Sequence, residues 1–152
     1  MDRIVFDTPV GQMTLESEGE ALTALYLPCR PVEPAGSPTP LLERGREELL
    51  DYFRGKRRSF DLPLAPKGTP FQQKVWRALA DIPYGTVISY KELARRVKRP
   101  KGFQAVGQAN GRNPLPVFLP CHRVVGADGS LTGYAGGLEL KQYLLELERN
   151  HL

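Results

Sequence analysis

The sequence predicts an α+β protein in which a small N-terminal antiparallel sheet with a helix precedes a mostly helical second domain. Strand-like patterns are confined to residues 3–27, whereas helix caps and helical periodicity dominate after residue 68. A segment broken by proline and glycine separates the two regions and discourages helix. We therefore predict two domains, residues 1–65 and 66–152, which the length of 152 residues allows.

The first domain shows three short strand patterns and one helix. The strands RIVFD, QMTLE and LTALYL are separated by turn signals at Pro9–Gly11 and Glu18–Gly19. After a proline-rich loop, LLERGREELLDYFRG places leucines and Phe53 on one side of a helix that stops at Gly55. Cys29 follows a proline at the end of a strand, and we interpret it as a packing residue.

Three short helices are predicted in the second domain. Thr69 and Gln72 form a capping box, with proline at the first helical position, that opens PFQQKVWRALADI. Ser89 and Glu92 form a second capping box that opens YKELARRVK. The third helix, KGFQAVGQANGR, follows Pro100. Short helices joined by a tight connection favour a helix-turn-helix unit.

The third helix has a face with almost no side chains. Ala105 and Ala109 are four residues apart, as are Gly107 and Gly111. Each internal glycine costs about 1 kcal/mol relative to alanine, so we expect a compensating contact. Two contacts remain open: close packing against a neighbouring helix, or close approach to a nucleic-acid groove whose shape is recognised.

The charge distribution indicates a polyanionic partner. The segment from Lys67 to Arg112 carries ten basic and two acidic residues, a local charge of +8, which leaves −4 for the rest of a chain of net charge +4. A solvated basic helix face is the alternative.

No stretch approaches the ~20 apolar residues of a membrane span, and the charged N-terminus does not fit a signal peptide. We expect a cytoplasmic monomer without a membrane partner, whose two cysteines stay reduced.

The stretch FLPCHRVVG places one of two cysteines beside one of two histidines. A rigid turn, Asn113–Pro116, leads into a predicted short buried strand at residues 117–119, and a proline then holds Cys121 at its mouth. His122 and Arg123 supply cationic neighbours that favour the thiolate, the nucleophilic form. Because adjacent side chains do not face each other, we expect a water to bridge the cysteine and the histidine.

The last helix offers a partner for His122. Stepping about 100° per residue along LELKQYLLELE places Glu148 and Lys141 on the apolar side, where a carboxylate must be paired. Pairing with Lys141 is a purely structural role, and orienting His122 is the functional alternative. The predicted apolar arc contains Leu138, Leu140, Tyr143, Leu144, Leu145 and Leu147.

Other chemistries fit the sequence poorly. The two cysteines and two histidines lack zinc-site spacing, and GYAGG lacks the lysine and Ser/Thr of a phosphate-binding loop. A papain-type cysteine hydrolase stays open as an alternative, although such an enzyme would be larger and its histidine distant in sequence. We therefore expect neither a metal nor a cofactor.

Four linked blocks resemble a known family: PCHRV at 120–124, GRNP at 111–114, GYAGGL at 133–138 and ISY at 88–90. Over essentially its whole length the chain resembles the O6-alkylguanine-DNA alkyltransferases, the suicidal DNA-repair methyltransferases. The resemblance implies a ribonuclease H-like N-terminal domain and a winged-helix-like C-terminal DNA-binding domain. It also implies a monomer that binds double-stranded DNA through the minor groove.

The resemblance assigns roles to individual residues. Cys121 is the implied alkyl acceptor, His122 the base acting through water, Glu148 the residue that orients His122, and Asn113 the support of the cysteine-bearing turn. Tyr90 helps to rotate the damaged nucleotide, while the glycine-rich helix lies in the minor groove. The residues expected at DNA or at the flipped base are Tyr90, Gln104, Ala105, Gly107, Arg112, Val124, Ala135 and Gly136.

The implied activity is flipping of O6-alkylguanine, and also O4-alkylthymine, out of duplex DNA, followed by irreversible and stoichiometric alkyl transfer to Cys121. A non-catalytic protein of the same fold that binds alkylguanine is the alternative, against which the acceptor cysteine argues. The sequence departs from the family at Gln104, where an arginine typically fills the gap in the base stack. Glutamine is shorter and uncharged, so we expect slower repair and a greater reliance on Tyr90.

Overall fold

The computed structural model describes residues 1–131 and 133–152 and confirms the mixed α+β class. The chain forms two compact units, Met1–Lys67 and Gly68–Leu152. None of the helices described is long and apolar enough to cross a membrane.

The first unit is a three-stranded antiparallel sheet with one helix. The strands β1 (Asp2–Thr8), β2 (Gly11–Glu18) and β3 (Ala21–Tyr26) lie in the order β1-β2-β3, as the turn signals predict. Helix α1 (Pro40–Phe53) contacts all three strands. Its Gly45 lies against Leu15, because a Cβ at that position would come within 2.5 Å of the leucine side chain. No catalytic grouping is predicted in this unit.

The second unit is mainly helical. Helix α2 (Pro70–Leu79) begins with the predicted capping box, in which Thr69 Oγ1 accepts from Gln72 N at 3.1 Å and Gln72 Oε1 from Thr69 N at 3.0 Å. The other elements are β4 (Ile88–Ser89), α3 (Tyr90–Arg96), α4 (Phe103–Gly111), a 3-10 turn (Cys121–Arg123), β5 (Val124–Val125) and α5 (Leu138–Arg149).

The second predicted capping box is only half formed. Ser89 Oγ accepts a hydrogen bond from Glu92 N at 3.0 Å and thereby begins α3. The Glu92 carboxylate instead pairs with Arg95 and Arg96 on the same helix, at 2.6 and 2.9 Å. Opposite charges three and four residues along a helix compete with the cap for the glutamate side chain.

Helix α4 packs between α2 and α3 on one side only. Val106 and Ala109 are buried, and Trp76 Nε1 of α2 donates to the Ala109 carbonyl at 2.8 Å. A Cβ on Gly107 would meet the Tyr90 ring at 3.7 Å, so this glycine lies close to α3. Ala105 and Gly111 are exposed. Packing therefore accounts for one half of the small-residue pattern and leaves the other half facing solvent.

The predicted strand at residues 117–119 is wrong. This segment is a turn in which Leu119 N donates to the Leu115 carbonyl at 2.9 Å and Val117 has a positive φ of 73°. Prolines at positions 114, 116 and 120 carry no N–H donor, so a strand here cannot form a regular ladder. The parallel pair that does form joins β4 and β5, with Ile88 opposite Val124.

The buried stripe of α5 is narrower than predicted. It contains Leu140, Lys141, Leu144, Leu147 and Glu148, which follow the spacing of a single helix face. Leu138 and Tyr143 are 49% and 37% exposed, because they lie at the edges of the predicted arc, beyond the packed neighbours. The lysine and the glutamate on this stripe are therefore both core-facing, as predicted.

Candidate active site

A closed turn holds Cys121 in a fixed position at the start of the 3-10 turn. Asn113 Nδ2 donates to the Leu119 carbonyl at 2.7 Å, and Asn113 Oδ1 accepts from Leu115 N at 2.9 Å. Cys121 N donates to the same Leu119 carbonyl at 2.7 Å. The Asn113 side chain thus closes the turn that bears Cys121, and its Nδ2 supplies a donor in a segment whose prolines have no N–H.

His122 and Glu148 form a buried hydrogen-bonded pair. His122 Nε2 lies 2.6 Å from Glu148 Oε2, and the two side chains are 0% and 1% exposed. Burial raises the pKa of Glu148, but hydrogen bonds from His122 and Arg123 outweigh it and hold that pKa well below its ordinary value. An ionised carboxylate accepts, so Nε2 carries the proton and the lone pair of the neutral ring is on Nδ1.

Arg123 compensates the buried charge of Glu148. Arg123 Nε donates to Oε1 at 2.8 Å and Nη2 to Oε2 at 2.9 Å, a bidentate pair. The remaining contacts are Gly85 N to Oε1 at 3.1 Å and Arg123 Nη1 to the Ile82 carbonyl at 2.7 Å. Glu148 therefore bridges a catalytic candidate and a structural cation, which favours the orienting role over pairing with Lys141 alone.

The Cys121 thiol is protonated at rest, contrary to the expectation that cationic neighbours would favour the thiolate. Burial raises the pKa of Cys121 to about 11, and a hydrogen bond from Asn113 and the charge of Lys141 lower it only in part. The Arg123 guanidinium is paired with the Glu148 carboxylate, so its charge does little to stabilise a Cys121 thiolate. Nucleophilic attack by Cys121 therefore needs a base that removes its proton.

His122 suits that task. Burial lowers its pKa from the ordinary value of 6.5, against the opposing effect of its bond to Glu148, so the ring is neutral near pH 7. Nδ1 is buried, and no group among the described residues hydrogen-bonds to it. A neutral imidazole with its lone pair on Nδ1 and its tautomer fixed from the other nitrogen is a competent general base.

Lys141 is an unexpected member of the site. Its side chain is 0% exposed, and its Nζ lies 5.7 Å from the centroid of the Tyr90 ring. Burial lowers the pKa of Lys141, while the proximity of Cys121 opposes that effect. The sequence signal is a lysine on the buried stripe of α5, where the helical spacing predicts only a partner for Glu148.

A cavity of about 360 Å³ opens beside α3 and α4. It contains the predicted residues Tyr90, Gln104 and Gly107 in its wall. The sequence prediction did not include the others among the DNA-contact or lesion-contact residues, although Gly111 lies on the small-residue face of α4 and Gly133 and Tyr134 belong to the GYAGGL block. These further lining residues are Phe103, Asn110, Gly111, Gly133 and Tyr134.

The remaining predicted contact residues are placed differently. Ala105 and Arg112 are exposed at either end of α4. Ala135 is exposed and Gly136 half-buried in the turn before α5, next to the cavity-lining Tyr134. Val124 is fully buried in β5, so its side chain packs in the core. Within residues 1–131 and 133–152, no group of three or more His, Cys, Asp or Glu side chains is placed to hold a metal ion.

Comparison with known proteins identifies the class to which this fold and site correspond. Residues 70–150 match the family described as the 6-O-methylguanine DNA methyltransferase, DNA binding domain. The chain is 46% identical to the constitutive methylated-DNA–protein-cysteine methyltransferase of Bacillus subtilis, over 94% of this chain and 92% of that relative. It is 44% identical to the methylated-DNA–protein-cysteine methyltransferase of Methanosarcina acetivorans, over 95% and 96% of the two chains.

Solved structures agree with these relatives. The crystal structure of Mycobacterium tuberculosis OGT in complex with DNA is similar with a TM-score of 0.87 and 43% identity, over 98% of this chain and 93% of that one. A Mycobacterium tuberculosis O6-methylguanine methyltransferase structure gives the same TM-score and identity. The chain therefore belongs to the methylated-DNA–protein-cysteine methyltransferase family, which confirms the resemblance in its sequence.

Proposed function

We propose that this protein repairs double-stranded DNA by moving the alkyl group of O6-alkylguanine, and of O4-alkylthymine, onto Cys121 Sγ, once per molecule. Family membership supports the activity. The observation that carries the assignment to residues is the buried Cys121 followed directly by a histidine whose Nε2 is held by Glu148 at 2.6 Å.

The proton has a defined route. The thiol proton of Cys121 passes to His122 Nδ1, through a bridging water because the two side chains are adjacent in sequence. Glu148 stabilises the imidazolium that forms. The sulfur then attacks the alkyl carbon, the bond between that carbon and O6 breaks, and the departing guanine takes up one proton. The net change exchanges one proton for one alkyl group, so no cofactor is consumed.

The reaction ends with the protein inactivated. The product is a thioether, which has no carbonyl for water to attack and whose sulfur is a poor leaving group. Because the acceptor cannot be regenerated, each molecule repairs one lesion. Positive charge on Lys141 near Cys121 assists the step in which the sulfur becomes negative.

DNA would bind to the exposed side of α4. That side presents small residues and Gln104, with Arg112 at its end, and suits the minor groove, where shape is read more than base edges. Tyr90 lies at the start of α3 and borders the cavity that would receive the flipped base. In this proposal the domain at residues 66–152 binds DNA and accepts the alkyl group, and the protein acts as a cytoplasmic monomer.

The number of lesions repaired per molecule tests this function. Protein is mixed with an excess of duplex containing one O6-methylguanine, and the remaining lesion is quantified over time. We expect lesion loss to stop at one equivalent per protein. Continued loss would indicate a turnover enzyme such as a hydrolase, and binding without loss would indicate a lesion-binding protein. Cys121→Ala should bind the duplex and remove none of the lesion.

A further inference from the structure

Phe103 is an exposed aromatic residue at the first position of α4. Its relative exposure is 53%, and it is the only one of the six phenylalanines that is exposed. Nothing in the packing of α4 requires it, because the helix is anchored through Val106, Ala109 and the bond from Trp76. A large apolar ring held in water at this place is a candidate for contact with a ligand.

The ring borders the cavity that would take a flipped base. Phe103 and Gln104 line it at the N-terminal end of α4, while Tyr90 and Gly107 line it where α3 and α4 meet. Tyr90 is held by Lys141 beneath its ring and by the close approach of Gly107. Phe103 therefore projects from the same helix end as Gln104, at the mouth of the cavity.

Flipping a nucleotide leaves a gap in the base stack, and minor-groove proteins frequently insert apolar side chains such as phenylalanine between base steps. We propose that Phe103 enters the base stack at the position the flipped nucleotide vacates. This proposal rests on the proposed function. It also explains how the protein can work with Gln104. An uncharged and flexible amide stacks poorly, whereas the neighbouring phenyl ring presents a full aromatic face to the bases.

The test compares three substrates whose repair should depend to different degrees on insertion of the Phe103 ring into the base stack. They are an O6-methylguanine duplex, the same lesion in the single strand, and free O6-methylguanine. Only in the duplex does flipping leave a gap in the base stack opposite an unpaired partner base. The variants are Phe103→Ala, Phe103→Trp and Gln104→Ala, and Tyr143→Ala is the control for loss of an exposed aromatic ring, since Tyr143 is 37% exposed on α5. Alkyl transfer is timed under single-turnover conditions.

We expect Phe103→Ala to slow duplex repair about 10-fold or more, as loss of one base–aromatic stack does. Transfer from free O6-methylguanine should fall much less than transfer from the duplex, because a free base leaves no gap in a base stack for the ring to fill. Phe103→Trp should retain the duplex rate, and Tyr143→Ala should not change it. The salt dependence of binding should be the same in Phe103→Ala and wild type, since no phosphate contact is lost.

Three results would overturn the proposal that Phe103 enters the base stack. Phe103→Ala could repair the duplex at the wild-type rate; it could lose activity equally on all three substrates; or Gln104→Ala could be the variant with the duplex-specific loss. Failure of the proposed function is distinguishable, because wild-type protein would then transfer no methyl group from any substrate. Gln104→Arg adds a further check: we expect it to restore duplex repair in the Phe103→Ala background. In the wild type it should add little, contrary to the slower repair expected from Gln104 in the sequence, because Phe103 already fills the gap.

Discussion

Replacing Glu148 by glutamine should separate the structural and catalytic roles of the buried carboxylate. The substitution keeps the size of the side chain but removes the charge that accepts from His122 at 2.6 Å and from Arg123 at 2.8 and 2.9 Å. Arg123, which is 6% exposed, is then left as a buried cation without its carboxylate. Breaking a buried ion pair by removing one partner costs about 3–5 kcal/mol.

The expected loss in the free energy of unfolding is large, but the variant should still fold. Domains of this kind are stable by about 5–15 kcal/mol, so Glu148→Gln should fold with a clearly lower urea midpoint and an unchanged slope. Alkyl transfer should fall at least about 100-fold, because a positioned general base contributes about 10²–10⁴-fold. The double variant Arg123→Met/Glu148→Leu should regain most of the stability, since apolar replacements of buried pairs are often neutral. It should remain inactive, because His122 has lost its orienting partner.

Urea unfolding and single-turnover alkyl transfer, measured on the same samples, test both parts. A Glu148→Gln protein whose free energy of unfolding lies within about 1 kcal/mol of wild type would refute a buried ion pair, because that is the range of exposed pairs. A double variant that transfers alkyl groups at the wild-type rate would refute the orienting role of Glu148 and leave its structural role untouched. Circular dichroism at 25 °C serves as the control for folding in each variant.

Three further predictions follow from the site. Cys121→Ser should bind an O6-methylguanine duplex, as measured by fluorescence anisotropy, yet accept no methyl group, because a hydroxyl is far harder to deprotonate than a thiol; transfer to the serine would contradict this. The pKa of His122 is lowered, so the transfer rate should hold as pH falls through 6.5 and decline only below it, and a half-maximal rate above pH 7 would count against a neutral base. Asn113→Ala removes two buried hydrogen bonds and should destabilise the protein by about 1–3 kcal/mol in urea unfolding, whereas no change would show that the prolines alone hold the turn.

The sequence predicted those parts of the structure that local physical chemistry determines. The capping box of Thr69 and Gln72 starts α2 where predicted, and the turn signals place all three strands of the first unit. The placement of Glu148 on a buried helix face predicted a partner, and the structure provides His122. These successes depend on residues close in sequence or on helical periodicity.

One failure is local, and the others arose where distant residues meet. The segment at residues 117–119 has strand propensity, but the flanking prolines and the side chain of Asn113 close it into a turn. Cationic neighbours in sequence did not yield a thiolate, because burial of Cys121 outweighs them. Phe103, Asn110 and Tyr134 come together only at the cavity, so no spacing rule could predict them. Tertiary packing decides the last two cases, and it is set by the whole fold.

Locating the transferred group tests the central claim most directly. Protein is incubated with an equimolar O6-methylguanine duplex, and its intact mass is measured before proteolytic digestion and sequencing of the modified peptide. We expect a gain of one methyl group in exchange for one proton, saturating at one per chain and confined to Cys121. Tight binding without a mass change, or a methyl group on any other residue such as Cys29, would contradict it.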